Sequence, residues 1–105
     1  MVFVETSAFT WRWDASFGDE ELRQLQAYLL EHPGAGDVIP GGGGLRKLRW
    51  RAPGRGKRGG TRLIYYHAAS LSQIYLLLIY AKNQQKDLTA EQIAMLKAII
   101  EEPNE

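Results

Sequence analysis

Apolar and polar positions change their spacing along this chain, and each change marks an element. Val2 to Glu5 is a short β-branched and aromatic run that predicts a strand, after which Thr6 or Ser7 caps a helix over about Ala8 to Asp14. Asp19, Glu20 and Glu21 suit the positive N-terminus of a second helix whose Leu22, Leu25 and Leu29 share a face, and Pro33-Gly34 ends it. Gly34 to Gly44 then reads as a glycine-rich loop leading into a sheet. From Leu45 to Arg51 the chain alternates: Leu45, Lys47, Arg49 and Arg51 fall on one side, and Arg46, Leu48 and Trp50 on the other. That is a half-buried strand with a basic face.

Ala52 to Gly60, APGRGKRGG, reads as a hairpin connection carrying three cations. Thr61 to His67 and Ile74 to Ala81 are β-rich. The second is apolar at nearly every position, as in a central strand covered on both faces, and together these strands predict an antiparallel meander. Thr89 and Gln92 form a capping box before Ile93, Leu96, Ile99 and Ile100, an amphipathic helix that Pro103 stops. The order β-α-α-β-β-β-α predicts an α+β fold: a small antiparallel sheet with two N-terminal helices and one C-terminal helix.

Length and composition narrow the picture. The 105 residues have room for one domain, spanning 1–105, and 45% hydrophobic with 24% charged residues excludes a disordered, collagen-like or coiled-coil chain. Without cysteine there is no disulfide framework, zinc-thiolate site or cysteine nucleophile, and a reducing cytoplasm is the simplest home. The longest apolar run, Ile74 to Ala81, is too short to span a bilayer, and the N-terminus lacks a basic start with an apolar core behind it. The expectation is a cytoplasmic protein with no membrane partner.

Net charge changes the picture more once it is divided along the chain. The total is +1, yet residues 1 to 37 carry −5 and the segment from Asp87 carries −4. Between them, Val38 to Lys86 holds ten bases and no acid. Those bases are Arg46, Lys47, Arg49, Arg51, Arg55, Lys57, Arg58, Arg62, Lys82 and Lys86. Ordinary surfaces mix signs, so a polarised chain of this kind is built to meet a polyanion.

Most motifs that would point elsewhere fail on context. Gly54-Arg55-Gly56-Lys57-Arg58-Gly59 matches G-x-G-x-x-G, but a strand follows where a dinucleotide fold needs a helix, and no P-loop sequence occurs. A kinase would need H-R-D and D-F-G sequences, which are missing. The two histidines, His32 before the Pro-Gly stop and His67 at a strand end, read as structural. All twelve acids lie in the terminal parts, so neither paired carboxylates nor a metal site is expected, and no cofactor is implied. Aromatics interleave with the bases at Trp50, Tyr65, Tyr66, Tyr75 and Tyr80. In a small sheet most such rings are core, and one or two at most are left to stack on single-stranded RNA. A helix-turn-helix reader is disfavoured because the bases sit in the strand-rich middle and not on a helix. Charge alone leaves open a non-catalytic RNA- or ribosome-binding module.

Three segments carry a resemblance. Gly44-Leu45-Arg46-Lys47-Leu48-Arg49, then Gly56-Lys57-Arg58-Gly59-Gly60-Thr61-Arg62-Leu63-Ile64-Tyr65-Tyr66, then Tyr75-Leu76-Leu77-Leu78-Ile79-Tyr80-Ala81-Lys82-Asn83 are similar to the HigB branch of the RelE-type bacterial toxins. Gly36-Asp37-Val38-Ile39-Pro40 and Asp87-Leu88-Thr89 extend the likeness over most of the chain. The resemblance implies a RelE-like microbial RNase architecture and the toxin of a type II toxin-antitoxin pair. It further implies a metal-independent endoribonuclease that cleaves messenger RNA on the translating ribosome. The partners it implies are the ribosome with its message and a cognate HigA-like helix-turn-helix antitoxin, through which DNA is reached only indirectly. Carried over by position, the catalytic set falls on Lys47, Arg49, Arg62 and Lys82, with RNA contacts on Arg46, Arg51, Arg55, Lys57, Arg58, Asn83 and Lys86. One departure stands out: many relatives place a tyrosine in the C-terminal segment, and here none follows Tyr80, which leaves the base or stacking role unassigned.

These residue types suit cleavage by the RNA's own 2′-hydroxyl. Guanidinium forks at Arg62 and Arg49 match paired phosphate oxygens, and Lys47 or Lys82, crowded by other cations, suits the general base or acid. Roughly six to eight phosphate contacts would cost about three to five decades of affinity between low and moderate salt, which agrees with weak action on naked RNA. An antitoxin has two routes to inhibition, acidic groups over the basic face or bulk on the acidic helices, and the second is slightly favoured.

Overall fold

The computed structural model describes residues 1–51 and 60–101. Its elements run β1 (Val2–Glu5), α1 (Ser7–Ser16), α2 (Asp19–Glu31), β2 (Asp37–Val38), β3 (Arg46–Trp50), β4 (Thr61–Ala68), a 3₁₀ turn (Ala69–Leu71), β5 (Gln73–Ala81) and α3 (Ala90–Glu101). The expected connection from Ala52 through Gly59 and the stop at Pro103 lie outside the described residues.

The strands form one five-stranded sheet in the order β1-β5-β4-β3-β2. The meander β3-β4-β5 is antiparallel as its sequence predicts. The sheet as a whole is mixed, because β1 adds parallel to β5 with Val2 opposite Gln73. Only this strand departs from the antiparallel sheet expected, through a pairing between segments some seventy residues apart, which no local pattern encodes. The α1–α2 pair carries the chain from β1 at one edge of the sheet to β2 at the other. A second difference is β2, two residues inside the glycine-rich loop that pair with Arg46 and Lys47. The backbone crosses so close there that Gly36, at φ +83°, has no space for a side chain: a Cβ would run into the Lys47 carbonyl.

Caps fix the helices. Thr6 Oγ1 accepts from the Phe9 amide at 3.0 Å and donates to the Leu77 carbonyl at 2.7 Å, so one hydroxyl both starts α1 and ties it to β5. In α2 the Gly18 amide donates to Glu21 Oε1 at 2.9 Å, and the acids Asp19, Glu20 and Glu21 occupy the first turn. The capping box of α3 forms as its sequence predicts: Thr89 N to Gln92 Oε1 and Gln92 N to Thr89 Oγ1, both 3.0 Å.

Each sheet face has its own core. On one face α1 and α2 lay Phe9, Trp13, Leu25 and Leu29 over Leu48, Trp50, Leu63, Tyr65, Ile74, Leu76 and Ile79. On the other, Leu96 of α3, with Ile93 and Ile100 beside it, packs toward Ile39, Leu45, Ile64, Leu77, Leu78 and Tyr80. β5 is buried along nearly its whole length, as a central strand covered on both faces should be.

Candidate functional site

The alternation of β3 decides what its cations do. Leu48 and Trp50 face α1 and α2, which puts Arg46 on that side and Lys47 and Arg49 on the side of α3. Register then carries the basic face across the sheet. Arg49 stands opposite Arg62 on β4, and Arg62 stands opposite Tyr80 on β5, so the three form one row at right angles to the strands. Residues directly opposite in antiparallel strands share a face, with Cβ atoms about 5 Å apart. Lys47 heads the next row on the same face, followed by Ile64 and Leu78. Arg49 is exposed, Lys47 half-buried, and Arg62 only 9% exposed, so two cations reach outward from a floor that holds the third.

Two further residues complete this cluster, and sequence reasoning placed neither in the site. Tyr80, one of five aromatics of which most were expected in the core, is buried, yet its hydroxyl has no hydrogen-bond partner among the described residues. Burial pushes its pKa above 10, against the opposing pull of Lys47 and Arg62, while Asp87 adds to the rise. The phenol is therefore a protonated donor at neutral pH, held within electrostatic reach of all three charged groups. Among the described residues this hydroxyl is left with a hydrogen bond to make. The second residue is Asp87, whose Oδ1 lies 3.0 Å from Lys47 Nζ. The loop after β5 is folded back to place it: the Gln84 and Gln85 amides bond the Ala81 carbonyl, and Gln85 Nε2 donates to Asp87 O at 2.9 Å and Gln92 Oε1 at 2.8 Å. Lys47 therefore sits beside a carboxylate and not among cations alone. The faint signal in the sequence was that Asp87 is the first acid after the long acid-free stretch.

The remaining anticipated residues divide into groups. Arg46 lies on the opposite face, its guanidinium donating to the Gly34 carbonyl at 2.9 Å, where it braces the loop after α2. Tyr65 closes that same corner: its hydroxyl donates to the Ala35 carbonyl at 2.6 Å, with the Pro33 carbonyl 3.0 Å away, and burial raises its pKa. Arg51 follows β3, exposed. Lys82 and Asn83 are exposed in the turn just past Tyr80, and Lys86 is exposed beside Asp87, so these three line the loop that flanks the row. Arg55, Lys57 and Arg58 lie outside the described residues. Asp37, Val38, Ile39, Pro40, Lys47 and Asp87 border a pocket of about 340 Å³ beside the Lys47–Asp87 pair. Among the described residues no group of three or more His, Asp or Glu side chains is placed to hold a metal ion, and no helix is long and apolar enough to cross a membrane.

Fold and site together define a small α+β protein whose mixed sheet gathers cations and a protonated tyrosine on one face. The model of the RelE toxin of the RelE/RelB toxin-antitoxin system matches residues 8–103, and the chain belongs to that family. Among solved structures it is similar to a chain of the intact E. coli RelBE toxin-antitoxin complex. The two are 18% identical over 76% of this chain and 94% of that one, with a TM-score of 0.55. At that identity the likeness speaks for the fold, which it shares.

Proposed function

We propose that this protein is the toxin of a type II toxin-antitoxin pair, of the HigB branch, and that it stops translation by cutting messenger RNA on the ribosome. The observation that carries the reading is the row Arg49–Arg62–Tyr80 with Lys47 beside it, three cations and one neutral donor on a single face. Membership of the RelE toxin family supports it. In the proposed reaction the 2′-oxygen attacks the adjacent phosphorus and the bond from phosphorus to the 5′-oxygen breaks. The products are a 2′,3′-cyclic phosphate and a 5′-hydroxyl, with no metal required. Arg62, fixed in the floor of the cleft, and Arg49 take the non-bridging oxygens in pairs as negative charge grows on them. The Tyr80 hydroxyl supplies a further hydrogen bond to the same charge, filling the role that the missing C-terminal tyrosine left open. Lys47 and Lys82 are the groups for moving the two protons, and Asp87 orients Lys47. Arg51, Asn83 and Lys86 hold the flanking strand, as do Arg55, Lys57 and Arg58 in this reading. The proposed setting is the cytoplasm, with a HigA-like antitoxin as the neutralising partner.

Induced expression with mapping of transcript ends tests this. The parent chain should arrest growth and leave cut messages, and ribosome-bound RNA with a 2′-deoxy sugar at the scissile position should resist. Arg62→Ala should neither arrest growth nor cut at matched expression. Arrest by that variant as strong as the parent's would overturn the assignment, and RNA binding without any cutting would leave a non-catalytic binding module.

A further inference from the structure

At the same end of the sheet a cavity of about 540 Å³ opens between α1 and the loop after β5. Trp11, Arg12, Phe17, Thr61, Tyr80 and Gln84 are among its lining. Trp11 is 76% exposed, whereas Trp13 and Trp50 are only 2% and 9% exposed. The helix explains the contrast: Phe9 and Trp13 share the inward face of α1, and Trp11 stands about 200° round from each. An indole left in water at the rim of a cavity contributes nothing to a core, and its open ring face is a stacking surface.

The neighbours of that ring are polar. Arg12 is exposed, and Nη1 is anchored to the Ile79 carbonyl at 2.9 Å, which engages one of its five N–H donors. Thr61 and Gln84 also border the cavity and carry hydrogen-bonding groups, while the Gln85 amide nitrogen is already engaged with Asp87 and Gln92. The cavity also adjoins the cationic row. Thr61 precedes Arg62 on β4, and Tyr80, which borders the cavity, is the residue paired with Arg62.

We infer that this cavity is a nucleobase subsite. The unpaired base next to the scissile phosphate stacks on Trp11 and its phosphate meets Arg12, as the RNA strand bends round the end of β4 and β5. The inference rests on the RNA-cleaving reading given above and adds where the neighbouring nucleotide is held. One aromatic face with hydrogen-bonding groups around it fits a base, which needs stacking and edge contacts; a peptide helix would need an apolar groove.

Titration with an uncleavable 2′-O-methyl single-stranded RNA tests it, read through tryptophan emission and through direct binding. RNA should quench the exposed indole, identified by the emission lost in Trp11→Phe. Trp11→Ala should bind at least about fivefold more weakly, while Trp11→Tyr stays close to the parent, both melting as the parent does because the side chain is exposed. If the parent binds RNA and Trp11→Ala binds it equally, with the Trp11 emission unmoved, the subsite is wrong and the function stands. If Trp11→Ala keeps its RNA affinity but no longer pairs with the antitoxin, the cavity is a protein site and the inference is overturned. If the parent binds no RNA at all, free or on the ribosome, both readings fall together.

Discussion

The two faces of one sheet are built from the same strands and end up with different surroundings. Toward α1 and α2 the face is closed by stacked aromatics, Phe9 on Trp13 at 5.6 Å and Trp13 on Phe17 at 4.3 Å. The cation that falls there, Arg46, bonds a backbone carbonyl and becomes a brace. Toward α3, Lys47, Arg49 and Arg62 share the face with Tyr80, whose hydroxyl the described residues leave unpartnered. Residues adjacent in sequence, Arg46 and Lys47, thus meet different partners because a strand sends successive side chains to opposite faces. On one face Arg46 finds the Gly34 carbonyl, and on the other Lys47 finds the Asp87 carboxylate in the loop after β5.

Breaking the closed face should have the largest effect. Trp13→Ala removes a buried indole at the centre of that layer and should lower stability by about 3–5 kcal/mol, read by thermal or denaturant melting. A loss under about 1 kcal/mol would mean that the aromatic layer does not hold the fold. On the open face, Tyr80→Phe separates function from stability. It should cut cleavage about a hundredfold, as loss of one donor to a developing oxyanion does, while stability holds or rises, because an unsatisfied buried hydroxyl is removed. The same variant has an alkaline signature. Tyr80 and Tyr65 both have folded-state pKa values raised above 10, so their contribution is intact below that pH and is lost as pH climbs past it. Tyr80→Phe should flatten that alkaline fall, and an unchanged profile would place the hydroxyl in water. The smallest effect is expected at the Lys47–Asp87 contact, where a half-buried lysine meets an exposed carboxylate. Asp87→Asn frees Lys47 for phosphate and should tighten RNA binding by no more than about fivefold, in keeping with the modest worth of such pairs.

Much of this comparison can be read from the residues. The alternation of β3 separates Arg46 from Lys47 and Arg49, the acid-free stretch marks the cationic face, and the Thr89–Gln92 pair marks the start of α3, because each is a local rule acting over a few residues. What the chain hides is whatever depends on distant segments meeting. The parallel seat of β1 on β5 joins the two ends of the molecule. Tyr80 looks like one more apolar position in β5 until the register sets it opposite Arg62. Asp87 looks like an ordinary helix-start acid until the Gln85 bonds turn its loop back onto Lys47. Trp11 has the composition of a core residue, and only the placement of α1 shows that its ring is left outside.

The most direct test of the division between the faces is cleavage of ribosome-bound message by Arg62→Ala and Arg46→Ala, each measured with the parent and each checked for folding. Arg62→Ala should lose at least about a hundredfold in rate, and Arg46→Ala should cut within about threefold of the parent while melting lower, having lost a hydrogen bond worth about 1 kcal/mol. Equal losses in the two variants, or a greater loss at Arg46, would contradict the assignment of the chemistry to the face beneath α3.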